Sequence, residues 1–213
     1  MKCDVCGQDF GVAHNCAGVA AAYMTPEEAA PAPKGFAPLY YLRMAFNIVC
    51  WDDVSIRRAS RDFKSGIYGF FFWTASATII LIFTALPQML KGMRFSGPVA
   101  VISLALGLIF GLIFMGIITI IQLGLCHLIA KWFFGAKGTF IHVMRPLLLG
   151  WYVNVLILVP VVGLLAAGLA WTAVLMLVFE EVDGIGRLQA FLISAGINIC
   201  FMALQFAIPI RHA

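Results

Sequence analysis

Four side chains near the start of the chain are of metal-ligating type: Cys3, Cys6, His14 and Cys16. Two thiolates in a Cys-x-x-Cys turn, with Gly7 directly after, grip a zinc ion in knuckle fashion, and His14 with Cys16 would complete a tetrahedral set. Four protein ligands leave no open position for water, so zinc held there is structural rather than catalytic. The second pair is spaced irregularly for a ribbon, and a reduced tail without metal is the competing reading of the same residues. Cys50, Cys126 and Cys200 stand singly in apolar surroundings, as small inert core residues do.

The densest acidic stretch is Glu180-Glu181-Val-Asp183-Gly-Ile-Gly-Arg187. A glutamate pair followed by an arginine occurs in intramembrane proteases of prenylated proteins, where one glutamate activates water. Here the arginine comes later than in that motif, and the last apolar run contains no histidine to pair with it. The expectation is therefore a solvated turn at the end of a span. His127, four residues before Lys131, reads as a packing or interfacial residue because no nucleophile lies near it in sequence. Gly-x-Ser-x-Gly, His-Glu-x-x-His and Walker sequences are missing, and no enzyme is expected. Gln122, Asn154, Asn198 and Gln205 are the few polar groups inside apolar runs, with Arg145 at a boundary. Amides of this kind pair between helices, whereas a transporter usually needs a denser polar stripe.

These residues need an apolar frame. Of 213 residues 62% are hydrophobic and 11% charged, and mean hydropathy is +0.98. A soluble domain carries about twice that charge, so the chain belongs in a lipid bilayer. The fold class expected is an all-α integral membrane protein. Residues 1–16 are a Cys-rich head and 17–38 an Ala/Pro-rich linker. Residues 39–65 alternate Leu, Phe and Val with Arg and Asp, an amphipathic helical segment suited to the interface. Five spans come after it, at 66–89, 98–130, 139–159, 164–179 and 188–210, with Pro160–Gly163 turning the third into the fourth. The second is too long for a bilayer core near ~30 Å and must tilt or project. Gly107 and Gly111, spaced as Gly-x-x-x-Gly, allow close helix approach within the bundle or in a homodimer.

Position sorts the basic residues. No cleavable leader precedes the head, and an early Cys-x-x-Cys belongs in a reducing compartment, which puts the N-terminus in the cytosol. With five spans, eleven of fourteen Lys and Arg then fall inside and only Lys91, Arg94 and Arg211 outside. This bias supports a cytosolic N-terminus and an external C-terminus. Basic residues that flank spans serve topology, so nucleic acid is not an expected partner.

Gly135-Ala-Lys-Gly-Thr-Phe140, Met144-Arg-Pro-Leu-Leu-Leu-Gly-Trp151-Tyr, Leu158-Val-Pro-Val-Val-Gly163 and Val182-Asp-Gly-Ile-Gly-Arg-Leu-Gln-Ala190 resemble the Yip1-domain family of five-span membrane proteins. The resemblance covers roughly residues 66–210 and lies in pattern and hydropathy. It departs before the first span, where Cys50-Trp-Asp-Asp-Val stands in place of an Asn/Asp-Pro element. It implies the same topology, and the Cys-rich start and short length look like the bacterial members, which have no Rab GTPase to bind. The expected function is that of a non-enzymatic protein that organises or recruits a protein partner at a membrane, the cytoplasmic one in a prokaryote. A small transporter or channel is the alternative, and an intramembrane hydrolase using Glu180, Glu181 and His127 stands behind it.

Overall fold

The computed structural model describes residues 33, 35–92 and 98–207. The chain divides into two units, 1–36 and 37–213. The head at 1–16, with Cys3, Cys6, His14 and Cys16, lies outside the described residues, as does most of the linker. The second unit is helical, with no strand among its described residues.

Helix α1, Pro38–Val49, starts with proline at its first position, where a missing N–H costs nothing. Tyr41, Met44, Ala45 and Ile48 repeat on one face, and all four are buried. Trp51 ends the run with φ +68°, a left-handed turn. Asp52 then caps α2, Asp53–Arg61, by accepting the Ser55 N–H at 3.1 Å. The Cys50-Trp-Asp-Asp-Val segment thus has a local task as a helix cap. Ile56 and Ala59 of α2 are fully buried. The amphipathic stretch expected along the membrane surface therefore turns its inner face to protein rather than to lipid.

Four helical segments are long and apolar enough to cross a membrane: Phe63–Thr84, Val99–Phe134, Phe140–Leu158 and Gly163–Asp183. The chain is an all-α integral membrane protein. The first crossing belongs to α3, Phe63–Gly92, and the second to α4, Pro98–Phe134. At 1.5 Å per residue α4 is about 55 Å long, well beyond a bilayer core. Its most apolar window is only 6% buried. Leu123, Cys126 and Ala130, toward its C-terminal end, enter the core, while Val101, Ile102, Phe110 and Phe114 stay exposed to what lipid would cover.

The third crossing has two kinds of winding. Helix α5, Phe140–Gly150, runs directly into a 3-10 helix, Trp151–Leu158. With rises of 1.5 and 2.0 Å per residue the two together reach about 32 Å. Gly150 marks the change, because a methyl group there would meet Val174 Cγ1 at 2.8 Å and Ile48 Cγ2 at 3.4 Å. Helix α6, Gly163–Asp183, begins after a turn through Val161, which is 99% exposed and has φ +69°. Trp171, Val174, Leu175, Val178 and Phe179 make α6 the centre of the bundle. It extends beyond the 164–179 read from sequence and takes Glu180 to Asp183 into the helix. Helix α7, Arg187–Ala207, is apolar too. Its stretch Arg187–Phe201 is shorter than the four crossings.

Candidate functional site

Two polar regions interrupt the apolar bundle. The first lies where α2 and α4 end, α5 begins and α6 ends. Gly184 closes α6 with φ +67°, the left-handed residue that lets a helix stop. Just before it, the Asp183 side chain is fully buried. Its Oδ2 lies 3.3 Å from His127 Nδ1 on α4, and the imidazole packs against Phe140 with ring centroids 5.9 Å apart. Its Oδ1 meets the backbone of Gly138. The Lys137 N–H donates to the Asp183 carbonyl at 3.0 Å, which draws the loop after α4 onto the end of α6. Gly138 sits so tightly on Asp183 that a Cβ there would collide with the carboxylate and lie 3.0 Å from the Val182 carbonyl.

The neighbouring acids are committed as well. Glu181 accepts from Arg57 of α2, whose other terminal nitrogen is 2.9 Å from Asp53. Glu180 accepts from Arg187 Nε at 2.9 and 3.2 Å. The expectation of a solvated acidic turn is corrected here: Asp183 is interior and Glu181 ties α6 to α2. Glu180, Glu181 and His127, the residues a hydrolase would use, each face a different partner. Among the described residues no three His, Cys, Asp or Glu side chains group as metal ligands.

The same end holds α1 and α2 in place. Tyr41 donates its phenol proton to Asp62 Oδ2 at 2.6 Å and stacks on Tyr68 at 4.1 Å, and Tyr68 Oη accepts the Ala37 N–H at 2.9 Å. Burial and the Asp62 carboxylate push the Tyr41 phenol well above its ordinary value. Arg145 Nη1 donates to the Ser60 carbonyl at 2.9 Å, and thereby ties α5 to the end of α2.

The second polar region lies in the apolar body. Gln122 of α4 donates to Asn198 of α7 at 2.7 Å, Asn198 donates to Thr172 of α6 at 2.7 Å, and Thr172 donates to the Gly168 carbonyl at 2.7 Å. A directed chain of hydrogen bonds thus crosses three helices. Beside it is a cavity of about 390 Å³ lined by Gln122, Asn198, Thr119, Trp171, Trp151 and Asn154 among others. The 3-10 winding builds one wall. At three residues per turn Trp151, Asn154 and Ile157 eclipse one another on a single stripe, whereas an α-helix would splay them. Asn154 donates to the Trp151 carbonyl at 2.8 Å, and Trp73 Nε1 reaches Thr119 Oγ1 at 3.4 Å. No charged side chain lines this cavity among the described residues.

Three of the four amides singled out in the sequence therefore converge, while the side chain of Gln205 lies outside the described residues. Gly111 faces Leu81 of α3, 3.3 Å from where its Cβ would be, so its smallness serves a contact within the chain. The His127–Asp183 pair escaped sequence reasoning, although Asp183-Gly184 is a helix-end pattern and Gly138 a second glycine able to admit it. Comparison with protein-family models, curated proteins and solved structures finds no match to this chain.

Proposed function

We propose that this is a non-enzymatic, Yip1-like five-span membrane protein that organises or recruits a protein partner at the membrane, with α7 as the fifth span. The supporting observation is the docked α1–α2 pair. Its inner face is buried and ion-paired to the bundle, while Leu39, Leu42, Phe46 and Trp51 project outward at 53–79% exposure. A rigidly held apolar face is suited to a partner helix, since little ordering entropy is lost on binding. The charge bias in the sequence supports a cytosolic N-terminus and an external C-terminus. In this reading the Cys3, Cys6, His14, Cys16 head carries a structural zinc and adds a second recruiting element.

The test is crosslinking and pull-down from native membranes with wild-type protein and a Phe46→Ala, Trp51→Ala double variant. The expected result is a discrete partner that the double variant loses. Capture unchanged by the substitutions would overturn the assignment of this face. Alanine at Cys3 and Cys6 should abolish stoichiometric zinc in purified protein, and a reporter at the C-terminus should read external.

The cavity favours a second reading, a small transporter or channel for a neutral solute. After replacement of all six native cysteines, single cysteines at positions 122, 154 and 198 would react with aqueous thiol reagents if the cavity opens to water. Protection at all three positions removes this reading.

A further inference from the structure

A trough of about 420 Å³ runs between the first turns of α3 and the start of α5. Its walls include Phe63, Ile67, Phe70 and Phe71 of α3 and Ile141 of α5, all 46–69% exposed. It is shallow at its floor because two glycines bring the helices together. A Cβ at Gly69 would lie 2.9 Å from Leu148 Cβ and 3.1 Å from the Leu149 nitrogen, and one at Gly66 would lie 3.4 Å from Arg145 Cγ. Close backbone approach on one side and aromatic walls on the other leave a narrow apolar furrow at the end of a membrane span, where rings favour the headgroup level.

Arg145 lines this furrow. Its guanidinium carbon is 5.8 Å from the centre of the Phe63 ring. Nη1 is occupied by the Ser60 and Arg61 carbonyls, at 2.9 and 3.4 Å. These acceptors are neutral, whereas Arg57, His127 and Arg187 each face a carboxylate. No described carboxylate neutralises Arg145. The acid in the α2–α3 junction, Asp62, is engaged by the Tyr41 hydroxyl and the Lys64 N–H. Nε and Nη2 have no acceptor among the described residues, and Arg61, whose carbonyl lies 3.4 Å from Nη1, is itself exposed. An apolar furrow with an uncompensated, geometrically fixed guanidinium matches one class of molecule in a bilayer: an acyl chain carrying an anionic headgroup. Guanidinium binds phosphate as a planar fork, and a charge-assisted bond is stronger than one to a neutral group.

We propose that the α3–α5 trough binds an acyl chain of an anionic phospholipid whose phosphate is held by Arg145 with Arg61. The site is separate from the amide cavity and from the outward face of α1.

The test uses the full chain reconstituted in bilayers of equal phosphatidylglycerol and phosphatidylcholine, released into the gas phase, with retained lipids weighed by native mass spectrometry. Wild-type protein should retain phosphatidylglycerol over phosphatidylcholine by about tenfold, the factor a charge-assisted bond supplies. Arg145→Gln should bring the ratio near parity at unchanged helix content, and Arg145→Lys should restore part of it as a point charge without the fork. Ile67→Trp, which fills the trough and leaves Arg145 in place, should lower the retained lipid. Arg187→Gln, which removes a cation elsewhere, should keep the wild-type ratio. The proposal is overturned by a wild-type ratio near parity, by a ratio unchanged in Arg145→Gln, by lipid fully retained in Ile67→Trp, or by an equal fall in Arg187→Gln. If Arg145→Gln does not fold, Arg61→Gln and Ile67→Trp decide it: both must lower retention, and no change in either refutes the site.

Discussion

The acidic end of α6 and the amide chain in the membrane body solve the same problem, a polar group among apolar ones, in opposite ways. At the end of α6 each carboxylate meets a cation or imidazole, and backbone packs directly onto Asp183. In the body the groups are neutral, bond in sequence across three helices, and border an open cavity. Charge is expensive to bury and demands a dedicated partner, so the first arrangement is rigid and closed. Neutral amides cost less to desolvate and exchange partners readily, so the second can tolerate an empty or occupied neighbour. The difference assigns a structural task to the end of α6 and leaves the cavity region as the more yielding of the two.

The largest expected effect tests rigidity. Gly138→Ala would push a methyl into the Asp183 carboxylate and should cost about 3 kcal/mol, measured as a fall in unfolding midpoint in detergent. A loss below about 0.5 kcal/mol would mean that the loop yields and the end of α6 is not closed. Asn198→Leu breaks the amide chain in its middle and should cost about 1–2 kcal/mol, since Gln122 and Thr172 each lose a partner. If it proved costlier than Gly138→Ala, the contrast between the two regions would be reversed.

Tyr41→Phe should cost about 1 kcal/mol through the lost bond to Asp62. It also carries a pH signature. The folded-state phenol holds its proton more tightly than the unfolded one, whose value is near 10.0. That contribution is complete below pH 10.0 and is lost as pH rises above it. Wild-type stability should therefore fall more steeply than that of Tyr41→Phe in alkaline titrations. Smallest is Arg187→Gln: its pair with Glu180 is exposed, at 68% for the arginine, and an effect within about 0.5 kcal/mol is expected.

Helix content and membrane insertion were legible because they depend on summed hydropathy and on breakers such as Pro160, both of which are local. Leu39, Leu42, Met44 and Phe46 among charged residues declared an amphipathic segment, but that pattern does not say which face protein covers: Met44 is buried and the other three are exposed. Only the buried side chains of α1 and α2 decide for protein. The acidic stretch misled for a related reason. Glu180, Glu181 and Asp183 have the composition of a solvated turn, and what takes them into the fold is Arg57, His127 and Gly138, all on other elements. Arg57 lies 124 residues from Glu181 and His127 lies 56 from Asp183. The four amides were visible one by one, and the convergence of Gln122, Asn154 and Asn198 was not.

The sequence by itself determined that this chain lives in a membrane and where its scarce charges and amides fall, because transfer free energy accumulates residue by residue along the chain. Tertiary structure alone decided which of those polar groups meet. The 3-10 turn that aligns Trp151, Asn154 and Ile157, the pairing of His127 with Asp183, and the position of Arg145 away from any described carboxylate all depend on the distances between helices. Those distances are set by glycines that let backbones touch and by side chains from different helices competing for the same space, and no window on a single helix contains that information.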